Sequence, residues 1–292
     1  MTANGFNGTL GRRKRTEVLF KILMIGSTAL VAASLLLIVG AVVWKSLPAL
    51  KLSMITRTPQ GGFYLGKEGG ILNAIAGSLY LGLGATALAF LLSLPLALYL
   101  NVYKGRGSRT AVWTRFFLDV LWGVPSIVYG AFGFLVMLFI GLRASLLAGI
   151  MTVALLEFPI MSRAIDEVMR LVPKDLRDAS DSLGATRLET AGRVVVRQCL
   201  PGILTAVFMA FGRGVGDAAS VLFTAGFTDR VPASLLDPAA TLPLAIFYQL
   251  GSPLPEVQQR AYASAAVLTL IILALSAAGR MITRRYRKHV VK

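Results

Sequence analysis

The chain has 292 residues, of which 55% are hydrophobic and 15% charged, and its mean hydropathy of +0.70 excludes an ordinary soluble domain. A formal charge of +16 would suggest nucleic acid in a soluble protein, but here the basic residues cluster beside apolar runs and read as membrane-orienting signals, not a nucleic-acid surface. One cysteine, Cys199, and one histidine, His289, leave no internal disulfide framework and no metal-ligand spacing.

A bilayer core requires about 20 apolar helical residues, and six runs meet that length: 20–47, 71–102, 112–140, 145–162, 202–226 and 261–283. The first is too long for a cleaved signal peptide despite its basic flank of Arg12, Arg13, Lys14 and Arg15, so it reads as a retained span. With both termini on the cytoplasmic side, 22 of the 30 Lys and Arg fall inside, as the positive-inside rule prefers for an even number of spans. The domain reading is a cytoplasmic tail over 1–19, a six-span unit over 20–283 that includes a cytoplasmic loop at 163–201, and a basic cytoplasmic tail over 284–292.

The outer loop after the first span contains 61–67, which matches most of the phosphate-loop spacing. Glu68 stands where Ser or Thr is needed and no strand precedes it, which argues against nucleotide binding. The second span carries Gly77, Gly82, Gly84 and Pro95, which allow close helix approach and a bend. The third is interrupted by Gly123, Val124, Pro125 and Ser126, followed by Tyr129 and Gly130. That interruption reads either as a simple kink or as a wall of a polar passage. Asp119 sits one turn earlier, near the cytoplasmic boundary, and Glu157 in the fourth span is costly enough in lipid that it should face protein or water.

Residues 163–201 form the long polar interval between spans, and they read as a compact helix-turn-helix. Pro173 suits a first helical position, and Leu176, Ala179, Ser180 and Leu183 recur on one face. Gly184 closes that short helix, and Thr186 with Glu189 has capping-box spacing for a second. Local pattern leaves two readings of the short helix, a docking knob for a cytoplasmic partner or a helix lying on the lipid surface; charge topology puts it in the cytoplasm.

Arg213 and Asp217 lie four residues apart in the fifth span, on one face of a continued helix, among Ala, Gly, Val, Phe and Leu. Ions there should pair or face a wet pathway. The pair reads either as a neutralised tie between helices or as a transient anion contact, for which the planar fork of arginine is suited. Gly212 and Gly216 have the spacing of a close helix contact. The outer loop at 227–260 contains the apolar segment 242–250, expected to lie at the interface or re-enter the membrane. No Ser/His/Asp set, acid pair or Cys/His spacing supports a catalytic site.

Asp178, Ala179 and Ser180, then Gly184 after three intervening residues that end in Leu183, resemble the coupling loop of bacterial ABC-transporter permeases. The stretches 171–173, 184–187, 200–203, 123–130, 212–217, 241–244 and 261–263 are similar to the PstA family of phosphate permease subunits. The resemblance implies an all-α integral membrane protein, a six-span MetI-like ABC importer permease with a cytoplasmic coupling helix, in the bacterial inner membrane. It implies a homologous permease subunit (PstC-like), ATPase subunits (PstB-like) that hold ATP and Mg, and a periplasmic phosphate-binding protein (PstS-like), with no cofactor in this chain. It places Asp178, Ala179, Ser180, Leu183 and Gly184 at the ATPase contact, and Arg213, Asp217, Gly123, Pro125 and Ser126 along the substrate pathway. The chain departs from the pattern at Val196 and Arg197, where Leu-Pro is common, so the second elbow helix is expected to run unbroken to Leu200 and Pro201. Asp178 and Asp217 replace glutamates, and Ser220 replaces a proline. Import of another oxyanion, such as sulfate or molybdate, and a non-transporting scaffold or sensor remain the competing readings.

Overall fold

The computed structural model describes residues 4–60, 68–104 and 108–286. The 61–67 stretch and His289 lie outside them. Helix α1 (Asn4–Ser46) and the short α2 (Leu52–Thr56) precede a two-residue antiparallel ladder of β1 (Pro59–Gln60) with β2 (Glu68–Gly69), the one departure from an all-helical expectation among the described residues. There follow α3 (Leu72–Leu98), extended by a π-helical turn over Tyr99–Tyr103, then α4 (Arg109–Gly123), α5 (Ser126–Phe139), α6 (Leu146–Arg170) and α7 (Lys174–Ser182). Helix α8 (Arg187–Glu189) runs through a π-helical segment, Thr190–Val196, into α9 (Arg197–Gly216); α10 (Leu242–Leu250) and α11 (Pro255–Tyr286) complete the order.

Among the described residues, five helices are long and apolar enough to cross a membrane: Arg13–Ser46, Leu72–Tyr103, Leu146–Arg170, Arg187–Gly216 and Pro255–Tyr286. The sixth expected span is broken, since α4 and α5 meet at 99°. Pro125 fixes its own φ and pushes Val124 into extended backbone (φ −70°, ψ 129°), which ends α4 and starts α5 in a new direction. The Tyr129 hydroxyl then donates to the Leu121 carbonyl at 2.8 Å, satisfying an acceptor at the end of α4.

Helix α6 is the centre of the bundle. Its apolar window is 72% buried, against 0% for that of α1, which leans on α11 and leaves its apolar side chains outward. Helix α6 packs against α3, α9 and both halves of the broken pair. Small residues set the approach: a Cβ on Gly77 would collide with the Ala240 carbonyl oxygen, and one on Gly214 with the Glu157 carboxylate. The close approach expected of Gly212 and Gly216 is not where the contact occurs, because nothing lies within 4 Å of a Cβ on Gly212 and a Cβ on Gly216 would meet only Ile272, at 3.7 Å.

The fifth run is helical only to Gly216. Beyond it the chain turns back as irregular backbone to Thr241, with Val221, Thr224, Ala225, Ala239 and Ala240 fully buried. Non-helical backbone at such depth needs internal partners, and it finds them at the start of α6. The amides of Ser145, Leu146 and Leu147, which have no partner within their own helix, donate to the carbonyls of Thr224, Asp237 and Leu235 at 2.8–2.9 Å. Asn73 donates to the Thr228 carbonyl at 2.6 Å and the Leu242 amide to Ser78 Oγ at 2.8 Å, tying the same segment to α3. Helix α10 packs on α11, with Leu242, Leu244 and Ala245 buried in the protein.

Adding a methyl group tests this packing. Gly77→Ala is expected to lower stability by about 1–3 kcal/mol, because backbone cannot move aside as a side chain does, whereas Gly212→Ala is expected to be neutral or stabilising by up to about 1 kcal/mol from helix propensity. Thermal unfolding of the two variants in the same detergent measures the difference.

Candidate functional site

The elbow forms from local signals. Helix α7 begins after Pro173, which occupies the N-cap and not the first helical position, with Asp175 in the first turn. It closes in a Schellman arrangement: the Ala185 amide donates to Ser180 O at 3.2 Å and the Gly184 amide to Asp181 O at 3.0 Å, with Gly184 at φ +76°. The capping box is complete, with Thr186 Oγ1 accepting from the Glu189 amide and the Glu189 carboxylate accepting from the Thr186 amide at 3.0 Å. The expected single face of α7 divides. Leu176 packs against the core and Ser180 is buried, its hydroxyl 2.9 Å from that of Thr190. Asp178, Ala179 and Gly184 face outward, and Leu183, beyond the last helical residue, is 88% exposed. Leu171 before α7 and Leu188 after it are exposed as well. The helix after the elbow does run unbroken, and further than Pro201, through to Gly216.

Arg213 and Asp217 are not a helical pair. Three glycines in five residues weaken the last turn of α9, and Asp217 leaves the helix as an extended C-cap (φ −86°, ψ 126°). Its carboxylate instead accepts the Ser220 amide at 2.8 Å, a turn favoured by aspartate that a proline at 220, lacking an N–H, would not allow. Arg213 is exposed and, among the described residues, forms no ion pair with Asp217 or any other acid. Its charge sits in the last turn of α9, where the helix dipole favours a cation. The break at Gly123 and Pro125 is exposed and Ser126 half-buried. The two regions meet through Gly130, on which a Cβ would stand 2.7 Å from the Ala219 carbonyl oxygen. The structure thus sets the start of α5 against the turn that follows Arg213 and Asp217.

A third cluster lies where α3, α4 and α6 converge near the elbow. Asp166, with no exposed side-chain surface, receives a two-bond fork from Arg115, Nε to Oδ2 at 2.8 Å and Nη2 to Oδ1 at 2.9 Å. Asn101 Nδ2 adds a bond to Oδ1 at 2.7 Å and also donates to Ala97 O at 2.9 Å. Arg163 Nη1 reaches Oδ2 at 3.1 Å, while its Nε pairs with the half-exposed Asp119. Two further links join α3 to α6 in the same line: Thr86 Oγ1 to Glu157 Oε1 at 3.3 Å and Ser162 Oγ to Ser93 Oγ at 2.9 Å. Glu157 therefore faces protein.

A family model described as "Binding-protein-dependent transport system inner membrane component" matches residues 93–290. The chain belongs to that family. It is 34% identical to the phosphate transport system permease protein PstA of Yersinia pestis, over 87% of this chain and 85% of the relative. It is 33% identical to the PstA of Haemophilus influenzae, over 86% of each chain. Among solved structures, the inward-facing MetNI methionine ABC transporter matches with a TM-score of 0.59 at 18% identity, covering 74% of this chain and 95% of that one. A bacterial ABC transporter for the acidic polysaccharide alginate matches with a TM-score of 0.57 at 15% identity, covering 93% and 99%. These likenesses establish the MetI-like permease fold, and the protein is a multi-pass membrane transport component, not an enzyme.

In this permease, local sequence signals define the elbow but do not reveal the Asp166 cluster. The positive-inside count includes Arg115 and Arg163 only as orienting charges. The overlooked signal was charge spacing: Arg115 with Asp119, and Arg163 with Asp166 and Glu167, place opposite charges one turn apart on two helices. Removing one partner of a buried pair leaves the other uncompensated, so Arg115→Met is expected to cost about 3–5 kcal/mol of stability, read as a lowered unfolding temperature of the purified permease.

Proposed function

We propose that this chain is the membrane-spanning permease subunit of an ATP-driven importer of inorganic phosphate. The observation that carries this is similarity to phosphate transport system permeases over most of both chains, on a fold shared with ABC importers. The chain sits in the bacterial inner membrane with both termini cytoplasmic and pairs with a homologous PstC-like subunit to close the pathway. PstB-like ATPases supply ATP hydrolysis with Mg, and a PstS-like periplasmic protein delivers phosphate.

The ATPase contact in this reading is Asp178, Ala179, Leu183 and Gly184, the outward residues of the elbow, with Ser180 behind them. A helix capped at its C-terminal end, with Leu183 exposed beside it, offers a cytoplasmic partner an apolar side chain to grip. Phosphate passes Arg213, whose guanidinium is exposed and not neutralised by an acid, and which is suited to hold an oxyanion through two bonds. Asp217, with its carboxylate held by the Ser220 amide, stays close enough along the chain to moderate that attraction without quenching it. In this reading Gly123, Pro125 and Ser126 belong to the path as the bend between α4 and α5, whose following turn meets the Asp217 segment at Gly130.

Two substitutions test the assignment in vesicles holding the assembled transporter. Arg213→Ala is expected to abolish phosphate uptake while the ATPase still co-purifies, and normal uptake at normal expression would remove Arg213 from the path. Gly184→Asp, which places a side chain at φ +76° and a charge at the docking edge, is expected to uncouple ATP hydrolysis from uptake or to prevent docking; unchanged co-purification and coupling would count against the elbow.

A further inference from the structure

We propose that Asp166 is a positioning residue for transport: it is the fixed point through which movement of the elbow reaches the broken helix pair α4 and α5. The inference rests on the reading of the chain as an ATP-driven importer subunit and adds the route by which the drive enters the membrane.

The route is continuous in hydrogen bonds. Arg177 of α7 donates to Asn101 O at 2.8 Å and to Met169 O at 3.0 Å, so the elbow holds both the π-helical turn after α3 and the end of α6. The same Asn101 passes the connection on, its side-chain amide donating to Asp166. Both hydrogens of that amide are used, because the second meets Ala97 O, four residues back at the end of α3. Asp166 then grips α4 through the Arg115 fork, and Arg163 adds a second hold on α4 at Asp119.

Three features suit the cluster to transmit movement. The fork fixes orientation as well as distance, since two parallel bonds resist rotation. The pair is desolvated, with Asp166 fully buried and the Arg115 side chain 10% exposed, so separating the charges is expensive and the group moves together. Both grips on α4, Arg115 and Asp119, fall one turn apart on one face, a turn before the helix reaches the break at Gly123. Helix α4 is about 22 Å long, held near its middle by the cluster and ended by a joint at which a Cβ on Gly123 would meet nothing within 4 Å. A displacement of the elbow is thereby delivered to α4 and redirected at the bend, beside the turn that carries Asp217.

The test uses the complete transporter in vesicles, with binding protein, ATP and phosphate. Asp166→Asn keeps the shape and removes the charge; it is expected to leave co-purification of the ATPase and ATP hydrolysis intact while phosphate taken up per ATP falls about tenfold. A spin-label pair at Val120 of α4 and Ser182 of α7 is expected to keep one separation with and without ATP in the unmodified transporter, and to change separation on ATP addition in Asp166→Asn. Arg213→Ala, which stops uptake at the path itself, is expected to leave the label separation fixed. A merely structural cluster would lower stability without changing uptake per ATP, and that result overturns the proposal. If Asp166→Asn does not assemble, Arg115→Lys decides: it retains the charge and loses the second bond, and uptake per ATP equal to the unmodified protein again overturns the proposal. If the unmodified complex carries no phosphate, the transport reading fails, while the label separations still decide whether α4 and the elbow move together; an ATP-dependent change in the unmodified protein refutes the route.

Discussion

Polar groups that this chain takes out of water are costly unless they find partners inside the protein, and α6 gathers many such bonds from its first residue to Asp166. At its start, three amides receive carbonyls from the irregular chain that follows α9. Along its length Glu157, Ser162 and Asp166 bond in turn to Thr86, Ser93 and Asn101 on the α3 side. In lipid the apolar surfaces of two helices gain little by meeting, so close packing and hydrogen bonds of this kind decide which faces join. The seam between α3 and α6 is therefore both the centre of the fold and the frame for its functional parts.

The two ends of that frame differ in character. At the end where α6 begins, irregular backbone is locked by main-chain bonds and by glycine contacts with no room for a side chain, as at Gly77. At the elbow end, the links are long charged side chains: Arg115 and Arg163 around Asp166, and Arg177 across to Asn101. Main-chain locking gives a fixed scaffold, whereas guanidinium forks hold a geometry and remain able to carry it from one helix to the next. Arg213 stands between these regions as an exposed cation at the C-terminal end of α9.

The departures from the family pattern make sense as a local set. Asp217 is shorter than glutamate, and the carboxylate it brings closer to the backbone is taken by the Ser220 amide. A proline at 220 would have no N–H to give. The two residues are thus compatible with each other, and their bond caps the turn by which the chain leaves the helix, where a straight continuation would have stacked Asp217 over Arg213.

Much of the architecture was legible in the sequence because its signals are local. Run length and hydropathy marked six apolar runs, of which five carry continuous helices long enough to span, glycine at a left-handed position and the Thr186 and Glu189 box defined the elbow, and the distribution of Lys and Arg argued for its side of the membrane. The Gly-Val-Pro-Ser interruption marked where the third span would yield, but not that it would turn by 99°. That angle depends on what α5 packs against, here the Ala219 and Ser220 backbone far along the chain. Helical periodicity also could not show that α9 would stop at Gly216, because an apolar run of glycine, alanine and valine is as compatible with buried irregular backbone as with helix. The Asp166 cluster was hidden for the same reason: its members come from residues 101, 115, 163 and 166, and only tertiary packing decides that charges beside three separate apolar runs share one desolvated site.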